Sequence, residues 1–286
     1  QASAALDVSH ALALITANSH VAVMISDTAA NIASNLADLV TNRAQISAIT
    51  QTNAGTALAI TYTQATDTNT TNTLNKINSG SYTLNVSGVA AANVSSLASN
   101  TKVASMLVSD TSANIASNLD ALQTNQAKIT SITQTLPAAS MTLTGTQYAN
   151  DQTALAKITG SYTATVNDVM AVDAASVLGN SSITAITVRD TAANIAANID
   201  ALESKYTQIT SITQTDAGTA LAITGAQVTS DADALAKVDS GSYTLSVSAV
   251  PAANVTSLAS NTKVASMQVS DSSANIATNL DALHTN

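Results

Sequence analysis

A long internal tandem repeat constrains this chain more than any other feature of its sequence. The segment SDTAANI at 26–32 recurs as SDTSANI at 109–115, RDTAANI at 189–195 and SDSSANI at 270–276. Its aspartate stands at positions 27, 110, 190 and 271, so successive copies are nearly equal in length. A unit that recurs in tandem in this way buries its apolar face by stacking on its neighbours, so the repeat predicts a stacked architecture.

Two further markers keep the same period. A glycine precedes Ser-Tyr-Thr in each copy, and a lysine follows each Leu-x: these residues are Gly80, Gly160 and Gly241, and Lys76, Lys157 and Lys237. The first copy carries two extra residues between Gln64 and Lys76. Because loops tolerate insertions best, we expect these two residues to lie in a loop.

The repeat divides the chain into five segments of one continuous array, 1–286. The segments are a partial repeat at 1–26, repeats at 27–109, 110–189 and 190–270, and a second partial repeat at 271–286. No Pro- or Gly-rich linker separates them, which favours a continuous array. The alternative is a string of separate α+β domains of about 80 residues each, a normal size for a small domain.

Strand and helix patterns alternate within each copy. In the second copy, β-branched and alternating runs predict strands, and apolar residues at i, i+4 and i+7 predict helices. The predicted strands are 103–109, 128–135, 141–144 and 161–166, with another starting at 183, and the predicted helices are 111–125, 150–158 and 172–178. The fold class is therefore α/β, a repeat solenoid of alternating parallel strands and short helices with about three strand-helix turns per repeat.

Composition restricts both the core and the partners. Aromatic residues make up 2% and hydrophobic residues 45% of the chain, so the core must consist of Ala, Val, Ile and Leu. The net charge of −9 provides no basic surface for nucleic acid, and no apolar run is long enough to span a membrane. The absence of cysteine excludes disulfides, thiolate metal sites and thiol nucleophiles.

Residues with catalytic or metal-binding chemistry do not form a convincing pattern. The histidines, at positions 10, 20 and 284, do not occupy equivalent positions of the repeat. Carboxylates recur in the helices at Asp120, Asp200 and Asp281, on a face beside the leucines that we expect to be solvated. Fragments of calcium loops occur at 216–218 and 231–233, without an EF-hand or a GGxGxDxUx nonapeptide. We therefore predict no catalytic, cofactor-binding or metal site and no cofactor, and leave open a weak calcium contact.

Recurrent polar and aromatic residues each have a structural and a binding interpretation. Asparagines recur at 31, 114, 194 and 275, and again one helical turn later, and we expect them to cap helices and to bond between turns. Tyr82, Tyr162 and Tyr243 are expected to seal strand edges, with a glycan platform as the alternative. Threonine-rich strands leave ice binding as a further alternative, although β-branched threonine favours strands in any case.

The two ends of the sequence are mutually compatible. Joined end to start, they read TN-QASAALDV, which preserves the helix-to-strand transition of the internal copies. Neither end shows the polar capping unit that a monomeric solenoid normally carries. We therefore expect the chain to stack head to tail on itself or to continue in a longer array of the same repeats.

The segments SDTAANIASNL at 26–36, DTAANIAANIDAL at 190–202 and ITSITQTDAGTALAIT at 209–224 resemble the Ala/Thr/Asn-rich tandem-repeat regions of large secreted bacterial surface proteins, including adhesin-like and surface-layer-like proteins. The resemblance implies an extracellular or cell-surface location and a scaffold or filament function. We expect a non-enzymatic structural protein. The alternative is an adhesin-type module that presents one face to glycan, ice or another surface.

Overall fold

Parallel pairing between consecutive strands organises the chain, whose computed structural model describes residues 4–285. Among these residues all strand pairs are parallel, and they form four small sheets of two, four, four and three strands. The strands are β1 (Val23–Asp27), β2 (Ile46–Gln51), β3 (Leu58–Thr61), β4 (Leu84–Val89), β5 (Val103–Asp110), β6 (Ile129–Gln134), β7 (Met141–Thr144), β8 (Ala164–Val169), β9 (Ile183–Asp190), β10 (Ile209–Gln214), β11 (Leu221–Thr224), β12 (Leu245–Val250) and β13 (Val264–Val269).

Short helices connect the strands and give a mixed α/β fold. The α-helices are α1 (Val8–Ala17), α2 (Ala29–Ser34), α3 (Leu36–Thr41), α4 (Tyr62–Thr66), α5 (Thr68–Leu74), α6 (Val94–Ala98), α7 (Ser112–Ser117), α8 (Leu119–Thr124), α9 (Gly145–Asn150), α10 (Gln152–Leu155), α11 (Ala174–Val177), α12 (Ala192–Ala197), α13 (Ile199–Glu203), α14 (Gln227–Ser230), α15 (Ala232–Leu235), α16 (Val255–Ala259), α17 (Ser273–Thr278) and α18 (Leu280–Thr285). Single 3₁₀ turns of the described chain lie at Asn78–Gly80, Ala91–Asn93, Gln126–Lys128, Ala171–Asp173, Tyr206–Gln208, Asp239–Gly241 and Ala252–Asn254.

The chain divides into two compact units. Of the described residues, the first unit contains 4–139 and 151–161, and the second contains 140–150 and 162–285. In the first unit β1 pairs with β2, and β3 to β6 form a sheet in sequence order. In the second unit β7 to β10 form one sheet in sequence order and β11 to β13 another. Each sheet therefore grows by adding the next strand along the chain.

Isolated β-bridges extend this pairing beyond the named strands. In the first unit Ile49 of β2 bridges to Ile77, and Ile132 of β6 bridges to Ile158. The second unit repeats the arrangement between Ile212 and Val238. The last strand of a sheet thus still pairs in parallel with a segment further along the chain.

The core consists of small and branched aliphatic side chains, as the composition predicts. The buried apolar residues are Ala, Val, Ile and Leu, together with Met106, Met141 and Tyr82. Strands alternate buried and exposed positions, as in β7, so one face of each strand contributes to the core. The glycines at 80, 160 and 241 adopt φ values of 89°, 82° and 84°, which confirms that these marker positions require the left-handed backbone region.

The helix predicted over 111–125 is interrupted at Asn118. The structure has α7 and α8 instead, and the amide side chain of Asn118 donates to the carbonyl of Asn114 at 2.9 Å. Asn competes with the helical hydrogen-bond ladder in this way because its short side chain reaches the backbone. The same break recurs at Asn35 and Asn198, where the side chain again bonds to the carbonyl one helical turn earlier.

The expectation that the two extra residues of the first copy lie in a loop is wrong. They fall in the helical segment of α4 and α5, and α5 has seven residues where α10 and α15 have four each. Asp67 caps α5 by accepting the amide of Thr70 at 2.7 Å. The longer helix therefore absorbs the insertion with a cap of its own.

An aspartate at each boundary between repeats, at the end of a strand, bonds to three other residues. In the second copy, Asp110 accepts the amide of Ala91 at 2.9 Å, the amide of Thr111 at 2.8 Å and the side-chain amide of Asn114 at 2.7 Å. Equivalent triple bonds occur at Asp27, Asp190 and Asp271. Thr111, rather than the aspartate, is the helix N-cap, because its hydroxyl accepts the amide of Asn114. The carboxylate thus connects a strand, the helix that follows it and the preceding strand-helix segment of the chain. We call each such strand-helix segment a turn.

Lysine side chains form a second set of bonds between turns. Lys76 donates to the carbonyls of Arg43 and Ile46, both at 2.6 Å, and Lys128 donates to the carbonyl of Ala98 at 2.7 Å. Carbonyls of the preceding turn also accept from Lys102, Lys157, Lys237 and Lys263. Each ammonium group therefore satisfies backbone carbonyls instead of pairing with a carboxylate.

We predict that Asp190→Ala lowers the free energy of unfolding by about 2–3 kcal/mol, because it leaves the buried amide of Ala171 without an acceptor. Burial opposes ionisation of Asp190, but bonds from Asn194, Ala171 and Thr191 outweigh it and hold its pKa below the usual 3.8. Because the pKa of Asp190 is lower in the folded than in the unfolded state, its ionised carboxylate stabilises the fold at pH values above the unfolded pKa. The loss of unfolding free energy in the variant should therefore be complete at neutral pH and become smaller as the pH falls below 3.8.

Urea unfolding followed by circular dichroism at pH 7 and pH 3 measures this difference. Asp233→Ala is the matched control, because Asp233 is exposed in the same unit and should change stability by less than about 0.5 kcal/mol. Equal losses in the two variants would contradict the role assigned to Asp190.

Candidate functional site

The last strand-helix segment of the described chain, formed by β13, α17 and α18, presents apolar residues to solvent. β13 is the end strand of its sheet, and its second edge has no partner strand in the described part of the second unit. Six apolar positions of this turn are half-buried or exposed: Val264, Met267, Val269, Ile276, Leu280 and Leu283. Leu280 has 57% of its surface exposed. We call this surface the open face.

The same six positions are buried in the second copy. Their counterparts are Val103, Met106, Val108, Ile115, Leu119 and Leu122, none of which is more than 2% exposed. There β6 pairs with the second edge of β5, and α10 packs against α8. The open face is therefore a repeat surface that no following strand and helix cover within the described chain.

The first turn of the described chain is different. Leu6 pairs with Ile25 of β1 through a single bridge. α1 is a continuous α-helix of ten residues, whereas its counterpart consists of the 3₁₀ turn Ala91–Asn93 followed by α6. α1 buries Val8, Ala11 and Ile15 and leaves Leu14 exposed.

The three histidines are exposed and lie in different segments of the described chain. His10 bonds to Asp7 at 2.6 Å, His20 contacts Ser19, and His284 is exposed in α18. The backbone amide of His10, the hydroxyl of Ser9 and the imidazole of His10 lower the pKa of Asp7 to about 2. Asp7 caps α1, and the Ser9 hydroxyl beside it donates to Asp7 at 2.8 Å, so all three groups serve the start of the helix.

The asparagines bond within the fold but not in the way predicted, because their side chains neither cap a helix nor reach a neighbouring turn. Asn31, Asn114, Asn194 and Asn275 each donate to the junction aspartate one helical turn earlier, at 2.6–2.7 Å. Burial opposes ionisation of Asp110, yet this bond and two backbone amides hold its pKa below its usual value. The asparagine side chains are therefore structural.

Two of the three tyrosines that follow the repeat glycines, Tyr82 and Tyr243, lie beside lysines. The ammonium group of Lys102 lies 5.0 Å from the ring centre of the buried Tyr82, and Lys263 lies 5.4 Å from that of Tyr243. Burial raises the pKa of all three tyrosines, Tyr82, Tyr162 and Tyr243. A ring covered by a cation and by neighbouring turns has little free surface on which a sugar could stack.

The interpretation of Asp120 and Asp200 as independent solvated carboxylates is incomplete. Both are exposed, but each lies within hydrogen-bonding reach of a second carboxyl group, Asp151 and Asp231 respectively. The second members are buried, with 4% and 3% of their surface exposed. The sequence analysis named Asp231 only within the calcium-loop fragment at 231–233 and did not name Asp151. Neither pairing was predicted, because each buried member lies on a later element, far from its partner along the chain. Their recurrence at the same position of the second and third copies was the available signal.

One cleft in the second unit has the size of a ligand pocket. It has a volume of about 440 Å³ and lies between α9 and the segment 168–177. Tyr148, Asp168, Met170 and Asp173 are among the residues that line it. Asp168 has a φ of 57°, a position at which the other copies have Gly88 and Ala249. The third copy has Val228 and Pro251 where this cleft has Tyr148 and Met170, so its lining is specific to the second copy.

Residues 4–285 contain neither a cluster of metal ligands nor a helix suited to a bilayer. In that range no three or more His, Cys, Asp or Glu side chains are grouped so that they could hold a metal ion. Asp216, from one of the calcium-loop fragments, accepts the amide of Ala192 at 2.7 Å. None of the helices in the same range has the length and apolarity needed to cross a membrane.

Comparison with known proteins adds no identity. No family model, curated protein or solved structure matches the chain.

We predict that one substitution made at two equivalent positions will have unequal effects. Leu119→Ala should cost about 2–5 kcal/mol because Leu119 is fully buried in the first unit. Leu280→Ala should cost less than about 1 kcal/mol in the dilute monomer because most of its side chain already contacts water. Urea unfolding at low protein concentration compares the two. A cost for Leu280→Ala as large as that for Leu119→Ala would mean that the open face is covered.

Proposed function

We propose that this chain is a stretch of an α/β solenoid that serves, without catalysing a reaction, as an extracellular filament or surface scaffold. In this proposal each repeat contributes about three strand-helix turns, and the turns add in sequence order through parallel pairing. The secreted or cell-surface location is part of the proposal and comes from the resemblance to bacterial surface-protein repeats.

The sheet order within each unit supports the stacking. Consecutive strands pair in parallel in all four sheets of the described chain, and the aspartate and lysine bonds connect each turn to the one before it. Such contacts are local along the chain, so turns can be added without changing those already present. A scaffold or spacer function requires this property.

The open face supports assembly through the ends of the array. It has the composition and pattern of a surface that the repeat elsewhere covers with its own next turn. We propose that the occupant is the first turn of a second copy, formed by Leu6 and α1, where Leu14 is exposed. The two surfaces differ, so the contact is heterologous and propagates into a filament if it does not close into a ring.

The polar groups of the described chain support a non-enzymatic function. The junction aspartates, the asparagines and six lysines bond to backbone or to one another within the fold. Hydrolytic catalysis needs a nucleophile and a base that converge on an open pocket, and the described histidines lie far from the 440 Å³ cleft in sequence and on other elements.

The cleft is the observation that favours the alternative function, an adhesin-type binding module. Its carboxylates, phenol and thioether could contact a glycan or another surface. We rank this second because the cleft lining occurs in one copy, whereas the stacking contacts recur in every copy. Internal bonds also engage several strand threonines, such as Thr133 with Thr159 and Thr210 with the carbonyl of Ile186, which weakens the ice-binding version.

We predict that the chain associates in a concentration-dependent manner and that Leu280→Lys abolishes this association, because it places an ammonium group at the centre of the open face. Sedimentation velocity from micromolar to millimolar concentration measures the association, and negative-stain microscopy distinguishes fibres with an axial repeat from closed rings.

Val172→Lys is the matched control, because Val172 is an exposed apolar residue beside the cleft and not on the open face. A monomer at every concentration would overturn the self-assembly proposal. If only the control variant lost association, the result would indicate that the chains associate through the cleft and not through the open face.

A further inference from the structure

Two buried carboxyl groups occupy equivalent positions in the second and third copies. Asp151 immediately precedes α10 and Asp231 immediately precedes α15, each one helical turn before a buried leucine, Leu155 or Leu235. Neither carboxyl caps its helix through a side-chain bond. The Oδ2 atom of each is buried and has no hydrogen-bond donor among the described residues. An ionised carboxylate in such a position would lose solvation without compensation.

Each buried carboxyl faces an exposed one on the preceding turn. Asp151 lies within hydrogen-bonding reach of Asp120 on α8, and Asp231 within reach of Asp200 on α13. The exposed members keep contact with water, and Asp200 also accepts the side-chain amide of Gln227 at 2.8 Å. The exposed member is therefore the better site for the negative charge.

The other groups that face these pairs do not supply a positive charge. Asp231 accepts the hydroxyl of Ser230 at 3.0 Å, and the carboxylate of Glu203, on the same helix as Asp200, adds a further negative charge. Asp120 is the one charged group of the described chain that acts on Asp151. No lysine, arginine or histidine between residues 4 and 285 acts on either buried carboxyl. A proton is thus the simplest means of joining the two oxygens.

The first copy provides an internal comparison. Residues in the equivalent positions are Ala37, next to Leu36, and Thr70, one helical turn before Leu74. Thr70 is 5% exposed, and its hydroxyl donates to Asp67 at 2.9 Å. Both carboxyls of the pair are absent together in this copy, and a neutral hydroxyl fills the buried position. The buried position of Thr70, Asp151 and Asp231 therefore holds a side chain that can be neutral and can donate a hydrogen bond.

We propose that Asp151 and Asp231 are proton-binding sites, each of which donates a shared proton to the exposed carboxylate of Asp120 or Asp200, so that acid strengthens the joints α8–α10 and α13–α15. The first copy lacks this device. The proposal is independent of the solenoid and filament proposals, because each joint lies within one unit.

The direction of the pH dependence follows from the buried member. Burial, together with the neighbouring Asp120 carboxylate, raises the pKa of Asp151 from 3.8 to about 6, and burial and Asp200 raise that of Asp231. A raised acid pKa means that the folded state binds the proton more tightly than the unfolded state. The stabilisation is therefore present at and below about pH 4 and is lost as the pH rises through about 6.

A calcium ion bridging the same oxygens is the competing explanation. Calcium takes six to eight oxygen ligands, whereas each pair offers two carboxylates. The buried member also leaves little room for water ligands. These observations favour the proton, and the experiment distinguishes the two.

The test is an NMR titration of the whole chain, labelled with ¹³C at the aspartate Cγ, between pH 3 and 8. We expect the Asp151 signal to titrate near pH 6 and the Asp231 signal to titrate above the usual range of an aspartate. Asp151→Asn should remove the first signal and leave the second. The amide of asparagine donates to Asp120 without a proton, so the variant should also lose much of the decline in urea-unfolding midpoint between pH 5 and 7.5.

Asp38→Asn is the matched control, because Asp38 is exposed on α3 of the first copy, where the pair is absent; both signals should persist. Asp120→Asn is a second variant, which tests the proposal independently if Asp151→Asn does not fold. It should move the Asp151 signal to lower pH, because the repulsion is removed and an amide donor replaces it. A titration in which no carboxyl exceeds the others overturns the proposal. A second result would also overturn it: calcium chloride added at pH 7.5 shifts these signals and raises the melting temperature of the unmodified chain but not of the variants.

Discussion

The aspartate at each boundary between repeats makes the contacts on which the architecture depends. Its carboxylate accepts an amide from the preceding turn, the amide of the next residue, and the side-chain amide of an asparagine one helical turn on. Three segments with different directions therefore meet at one group. Because the carboxylate stays ionised, its bonds are charge-assisted and stronger than neutral ones. The strand-to-helix transition and the spacing between turns are fixed together.

Weakly polar residues with small side chains can form this fold because the bonds between turns use backbone groups. Lysines donate to carbonyls, glutamines such as Gln51 and Gln214 fill the bends after β2 and β10, and asparagines bond to the helix backbone. Among the described residues the one ion pair is that of His10 with Asp7. The fold therefore depends little on surface ion pairs, which contribute little to stability in any case.

The sequence pattern predicted the strands better than the helices. Strand 141–144 has its predicted bounds, and strands 103–109 and 128–135 differ only slightly at their ends from β5 and β6. The strand predicted over 161–166 lies three residues later, as β8. β-branched alternation reports directly on a half-buried strand. The helix over 111–125 was predicted as continuous because its Leu and Ile spacing is helical, but the pattern does not report the competition of the Asn118 side chain for the backbone.

Contacts between turns were the least predictable part of the candidate site. The open face could be anticipated from the repeat, since its residues match those that β6 and α10 cover in the second copy. The Asp120–Asp151 and Asp200–Asp231 pairs could not, because their members are distant in sequence and the first copy replaces both with Ala37 and Thr70. Sequence alone also provided no reason to separate a buried carboxyl from an exposed one. The difference depends on which helix the next turn places against it.

The lysine bonds have a consequence for proteolysis. Six of the seven lysines have their ammonium groups anchored on carbonyls of the preceding turn. Trypsin must draw such a side chain into its specificity pocket in an extended segment, so cleavage requires that a turn first detach from its neighbour. These six lysines are thus among the residues that hold the turns together, and cleavage after them becomes limited by local opening, which suits the proposed extracellular setting.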